Sequence, residues 1–469
     1  GTADLLATCL PAPTPLTIDP PAAPPVGVGV QFRQTPWPLP AESEDEICMA
    51  TYYDLTQDPD LVPAEFQFDC PGAFGANNPS DKCFYYHRQV LRQDPQSHHS
   101  IIHIYTGDYA VGYTGSGGRQ FGPFTYKAGA SEGSSCDPKA IDPALGYNPD
   151  CSGKVVSTIA CLSAGALAEY GPPDYNNNIT APTFGGSQEP YNETDFADGV
   201  YSVLPMQGVI SWNGHAFNLT STDSTMSQYL DIDFAQATDR YYPVRGIFDS
   251  ASIFSQNVLP YQTQEVCRTY TIPEGAHLFQ ITSHTHRHGV KFRVWDEPNY
   301  ACFPDSNGDG CVPSPFMDKL IYSSTEYTDP VELNSDPPVL YDNPDPIYRT
   351  LWYCSEYDNG SQIDSPSVKR QSTSPEGPFG SFSPGGPCAD SQLYCYGGTN
   401  PGTFCGGNDS LCEGGGECDA CPVDGGVTTE DEMFILIGSY YIVPDADGDG
   451  VGDPEDAFPN DPNEWADTD

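Results

Sequence analysis

The chain has 469 residues, with 18 basic against 65 acidic side chains and a net charge of −47. That excess repels a polyanion and excludes non-specific nucleic-acid binding; no apolar run reaches the length needed to span a membrane as a helix. Forty-six Gly and 47 Pro, among many Tyr, Thr and Val, favour strands joined by turns and predict an all-β protein.

Residues 1–40 are proline-rich (PAPTPLTIDPPAAPP) and read as an extended arm. EDEICMATYYDL, from 44, opens a first domain over 41–235. The segment 83–106 reads as two strands joined by a polar turn from Gln93 to Ser97, the second strand carrying His98, His99 and His103. Four residues along a strand is roughly 13 Å, so His99 and His103 are too far apart for one metal ion. His98 and His99 point to opposite faces of a regular strand and would converge only if the strand is twisted or bulged there. Residues 107–200 are rich in Gly, Ser and Asn, and strand character returns at 200–213, ahead of His215.

QATDRYYPVRG, 236–246, reads as a linker to a second domain over 247–443. There SHTHRHGVKFRVW, 283–295, reads as one strand, with Val290, Phe292 and Val294 alternating. Residues two apart share a face, so His284 and His286 point the same way as half of a metal site. His288 continues the parity, as a third ligand or as a solvent-facing neighbour. CFPDSNGDGC, 302–311, sets Asp305, Asn307 and Asp309 at calcium-loop spacing, although the downstream Glu of an EF-hand is missing. From 355 the chain reads as a disordered Ser/Pro/Gly stretch, followed by a cysteine-dense insert within about 361–425. The Cys418-x₂-Cys421 pair there suits disulfides better than zinc. The tail, 444–469, places Asp445, Asp447, Asp449, Asp453 and Asp456 too densely to fold without cations, and resembles a thrombospondin type-3 calcium repeat.

Seventeen cysteines indicate an oxidising compartment, and their odd number leaves at least one outside intrachain pairing. The opening at Gly1, with neither initiator Met nor signal sequence, reads as a processed mature form. Sequons at Asn178, Asn192, Asn218, Asn359 and Asn408 fit a secreted or cell-surface glycoprotein.

The remaining metal-ligand candidate is Met433 in TTEDEMFILIGSYY; a methionine there is ordinarily core packing, and its thioether counts as a ligand only for a soft metal such as Cu(I). The set of HH, a later lone His, an H-T-H segment and a D-E-M segment resembles the ascorbate-dependent copper type II monooxygenases, which include the peptide-amidating and dopamine β-hydroxylases. CSEYDNG (354–360) and GVTTEDEMF (426–434) resemble that family's Cys-x-Tyr-Asp-Asn and Asp-Glu-Met segments. The resemblance runs from about Cys48 to Tyr441. It implies two jelly-roll-like β-sandwich domains, with disulfide-rich loop inserts and the calcium-binding tail added. It also implies two coppers per chain: an electron-supplying one on His98, His99 and His215, and a catalytic one on His284, His286 and Met433. The implied reaction is hydroxylation of a C–H bond with O₂ and ascorbate or a similar reductant.

Three departures bear on the substrate. Thr282 stands where the peptide-amidating branch has an Arg that anchors a carboxylate, and Ile435 and Ile437 stand where it has Asn and Tyr. The expected substrate is therefore an apolar small molecule or part of an extracellular polymer. Phe434 replaces the family's usual Cys, so one disulfide is rearranged or absent. The rival expectation is a structural, adhesive or filament-forming surface protein on the same fold, self-assembling through the calcium tail or the arm; copper storage without turnover is a third.

Overall fold

The structure is a computed structural model that describes residues 18–34, 36–70, 82–105, 113–114, 120–121, 154–156, 183–249, 252–296, 303–304, 311–312, 320–361, 390–426 and 431–443. The protein is all-β: the helical pieces among the described residues are 3₁₀ turns of three or four residues. The chain divides into two compact units, one of residues 1–195, 203–234 and 374–383, the other of 196–202, 235–373 and 384–469.

In the first unit, strand Lys82–Gln93 pairs with Gln228–Phe234, which pairs with Gly29–Arg33; on its other edge lie Tyr191–Asp195 and Gln67–Asp69. A second sheet runs in the order Thr183–Ser187, Ser97–Tyr105, Gln207–Asn218, Ser43–Asp54 and Lys154–Val156. All of these pairings are antiparallel, and most join segments far apart in the chain. The sheets meet through large apolar side chains, with Phe32 of one edge-on to Tyr53 of the other at 4.9 Å between ring centroids. Residues 29–39, expected within an extended arm, are instead built in. Gly29–Arg33 is a sheet strand, and Trp37 and Leu39 are fully buried, because their apolar surface outweighs the stiffness of the flanking prolines.

In the second unit one four-stranded sheet runs Arg245–Asp249, Ile435–Ile442, Ala276–His284, Leu333–Tyr341, and the other Thr263–Thr271, Thr350–Asp358, Gly289–Trp295, Leu320–Ser324. Ile247, Leu278, Ile281 and Leu436 of the first share one core with Val266, Phe292, Val294 and Tyr353 of the second. Residues 236–246, read as a linker, open this unit: Tyr242 and Pro243 pair with Val200 and Tyr201, and Arg245 begins a sheet strand.

The segment read as disordered from 355 is ordered through Ser361. Thr350–Asp358 is a central strand, cross-linked to its neighbour by Cys267–Cys354. Further disulfides join Cys70–Cys83, Cys395–Cys412 and Cys405–Cys418, and Cys421 is also disulfide-bonded. The Cys418-x₂-Cys421 pair is thus not a zinc site. No helix among the described residues is long and apolar enough to cross a membrane. The calcium candidates Asp305, Asn307, Asp309, Asp445, Asp447, Asp449, Asp453 and Asp456 lie outside the described residues, as do Cys136, Cys151 and Cys161.

Candidate metal centres

His98 and His99 meet on one side of the sheet because the strand bulges between them. Gln207–Asn218 pairs His215 with His99 and Ala216 with Ser97, so the register shifts here and His98 is the extra residue of the bulge. A bulge turns the extra residue out of the ordinary alternation, which is what two adjacent ligands require. His98, His99 and His215 are all buried, and each offers a ring nitrogen within 4.8 Å of the others. Their ring centroids are 4.9–5.3 Å apart, with the rings steeply inclined to one another.

The outer atoms of two of these rings are held. His99 Nε2 lies 3.1 Å from Asn213 Oδ1, and His215 Nε2 lies 2.6 Å from Glu44 Oε1. Both bonds engage Nε2, which leaves Nδ1 as the nitrogen a metal would take; a metal-binding imidazole is ordinarily oriented in this way through its other nitrogen. Metal–nitrogen bonds of about 2 Å require ligand nitrogens about 3–4 Å apart, so three imidazoles within this span fit a transition-metal ion with little adjustment. His103 sits four residues from His99 and pairs through its backbone with Ser211.

The second set differs from its expected form. The segment 283–295 is not one strand: Ala276–His284 ends at the first histidine, residues 285–288 form a turn closed by Gly289 N–H donating to His286 O (2.9 Å), and Gly289–Trp295 is the next strand. Gly289 is required there, since a Cβ would meet Thr285 Oγ1 at 2.5 Å. His284 and His286 do not therefore share a strand face. The turn nevertheless brings their rings to 5.1 Å between centroids, at 86°.

The Asp-Glu-Met segment closes over this turn. Asp431 O lies 3.2 Å from His286 Nδ1, leaving Nε2 as that ring's donor for a metal. Glu432 is fully buried and accepts from the backbone N–H groups of His286 and His288. Burial pushes its pKa up, while the three backbone N–H groups and His288 favour the ionised carboxylate. Met433 is fully buried; its N–H donates to Glu432 Oε2 at 3.3 Å and its carbonyl accepts from the Tyr357 hydroxyl at 2.9 Å. Burial holds that phenol well above its ordinary pKa, so it stays a donor. His288, buried rather than solvent-facing, has Nδ1 3.0 Å from Asp358 O, and its carbonyl accepts from Asp358 N–H. Asn359 Nδ2 donates to Val258 O and Cys421 O, tying the cysteine-rich insert to the same strand end. The Cys-Ser-Glu-Tyr-Asp-Asn run is thus the support of the turn and of Met433.

Phe434 is also fully buried, 4.9 Å from the Tyr353 ring and 5.6 Å from Phe292. Burying a Phe contributes roughly 1.5–3 kcal/mol, comparable with a disulfide at that position. Thr282 pairs with Ile437, which pairs in turn with Phe248, and Thr282 Oγ1 donates to Val331 O. The sequence pattern missed Glu44, Asn213, Tyr357 and Glu432 as supports of these histidines. Only the recurrence of Tyr357 and Glu432 inside the two resembling motifs pointed to them.

No protein-family model matches the chain, and no curated protein matches it. A solved structure described as "Crystal Structure of the STIV MCP" aligns over 70% of this chain and 97% of its own, at 8% identity and a TM-score of 0.18.

Proposed function

We propose that this protein is a secreted dicopper monooxygenase that hydroxylates a C–H bond, using O₂ and a small reductant such as ascorbate. The observation that carries the reading is the bulge that gathers His98, His99 and His215 to within 4.8 Å, in a chain that also ties His286 and Met433 to one carboxylate, with the His284 ring beside that of His286. Copper bound at these sets would supply one-electron transfer and O₂ activation. Three imidazoles accommodate both copper oxidation states, whereas a thioether favours Cu(I). The side chains do the rest: Glu44, Asn213 and Asp431 O orient the rings, and burial keeps bulk water from the donors.

The substrate side of the reading is apolar. The position of a carboxylate-binding Arg is occupied by Thr282, its hydroxyl turned to a backbone carbonyl, with Ile437 and Phe248 following across the sheet and buried Ile435 opposite His284. A peptide carboxylate has no cation to meet at Thr282, and an apolar small molecule or a segment of an extracellular polymer suits the surface better. The disulfides among the described residues support an oxidising, extracellular setting. Calcium at Asp305–Asp309 and along the acidic tail belongs to the same proposal, as a stiffener outside the chemistry.

Metal analysis and electron paramagnetic resonance on protein prepared without chelator test the reading. Two coppers per chain, with a type 2 Cu(II) signal bleached by ascorbate, are expected. Calcium alone, with no copper taken up on reconstitution, would leave a calcium-stabilised structural protein.

A further inference from the structure

The turn that carries His286 lies outside the sheet, so its N–H groups have no ladder to join. One side chain replaces the ladder. Glu432 Oε2 accepts from His286 N–H at 3.0 Å and from Met433 N–H at 3.3 Å, and Oε1 accepts from His288 N–H at 2.5 Å. Its own backbone is fixed on both sides, with N–H donating to Asp424 O and carbonyl accepting from Gly426 N–H. A buried acceptor that takes three donors from two separate chain segments leaves those segments little freedom to move apart.

We propose that Glu432 is a positioning residue: its carboxylate sets His286 and Met433 at a fixed separation, so that imidazole and thioether are delivered together to one metal ion. The assignment rests on the copper reading for its purpose, but its geometry is independent of any metal. The residue type follows from the donors. A glutamine would turn an NH₂ group toward one of the N–H groups, an aspartate falls a methylene short, and only a glutamate offers acceptors on both sides from this backbone. The Asp-Glu-Met run then has one function per residue: Asp431 O orients the His286 ring, Glu432 holds the backbones, and Met433 brings the sulfur.

The test has two arms, on the full chain with Glu432→Gln and Glu432→Ala. In metal-free protein, amide hydrogen exchange should show His286, His288 and Met433 protected in the wild type. All three should exchange at least tenfold faster in Glu432→Ala, and His288 alone in Glu432→Gln. With Cu(I) bound, X-ray absorption should lose its sulfur contribution in Glu432→Ala, and that site's affinity should fall about 10–100-fold. The copper on His98, His99 and His215 should be unchanged, and Glu432→Gln should keep the sulfur. Unchanged exchange in both variants, or an unchanged sulfur contribution in Glu432→Ala, overturns the proposal. Wild-type protein that takes up no copper overturns the copper reading and the ligand role with it, and the exchange arm then decides the clamp alone.

Discussion

The Glu44 carboxylate lies 2.6 Å from Nε2 of His215, on the strand that pairs with the histidine's own. His215 is wholly buried while the Glu44 side chain is about one-third exposed, so this carboxylate is the wet end of a buried imidazole. It engages Nε2 and so leaves Nδ1 as the nitrogen a bound metal would take. Glu44→Gln should weaken metal binding at His98, His99 and His215 by about 10-fold, and Glu44→Ala by up to about 100-fold. Chelator competition measures this; wild-type affinity in both variants would mean that the bulge alone orients the ring.

Tyr357 offers a second test, on the other centre. Its hydroxyl donates to Met433 O and accepts from Gln256 Nε2 at 3.2 Å, all three residues being buried. Tyr357→Phe keeps the ring and leaves a buried carbonyl short of a donor, which costs about 1–3 kcal/mol. Urea denaturation should show that loss with an unchanged m-value. A loss under about 0.5 kcal/mol would mean that the carbonyl finds water instead.

How much of this was legible in the sequence depends on distance along the chain. The strands Lys82–Gln93 and Ser97–Tyr105 were visible from the polar turn between them, because a turn is a local signal; that they part into different sheets was not. The bulge at His98 was not, since it exists only against a partner strand more than a hundred residues away, and the sequence left the His98–His99 pair open until that register was known. The alternation after Gly289 was real, but extending it back through His284 was wrong, because the N–H groups of 286 and 288 bond to a carboxylate some 145 residues later. Thr350–Asp358 was lost from 355 onward because Ser355, Glu356 and Asp358 read as polar loop; Ser355 and Asp358 are in fact buried.

Burial holds the His277 imidazole below its ordinary value of 6.5, against its bond to Gly275 O, while the ring stacks on Tyr441 at 4.8 Å. The folded state therefore resists protonation that the unfolded chain accepts, and this contribution to stability is present above pH 6.5 and is lost as pH falls below it. His277→Phe keeps the stack and removes the proton site. Melting curves from pH 7.5 to 5 should fall less steeply for the variant, and identical slopes would assign the acid sensitivity elsewhere.

The sequons separate by burial. Asn218 and Asn359 are fully buried, and each donates through Nδ2 to two backbone carbonyls, so a glycan on that nitrogen is incompatible with the fold. Asn408 is exposed and uses only its oxygen, accepting from Ser410, and Asn192 is half-buried on an outer strand. Peptide mapping of folded protein from a glycosylating host should find occupancy at Asn408 or Asn192 and none at Asn218 or Asn359. A glycan at either buried position would contradict the packing around it.

Cys267 and Cys354 sit directly opposite each other on paired strands, 87 residues apart in sequence. Closing a loop of that length removes about 4–5 kcal/mol of chain entropy from the unfolded state in the loop-closure account, and measured losses usually run lower. The strand so pinned is the one whose end carries Tyr357, Asp358 and Asn359, so the crosslink also steadies the supports of Met433 and His288. The double variant Cys267→Ala, Cys354→Ala should lose about 2–5 kcal/mol on denaturation. Exchange of the His288 amide should rise in the same variant, since its carbonyl and ring both bond to Asp358. Lost stability with His288 still fully protected would mean that the strand end is held by Asn359 and the cysteine-rich insert, with the disulfide acting on the unfolded chain alone.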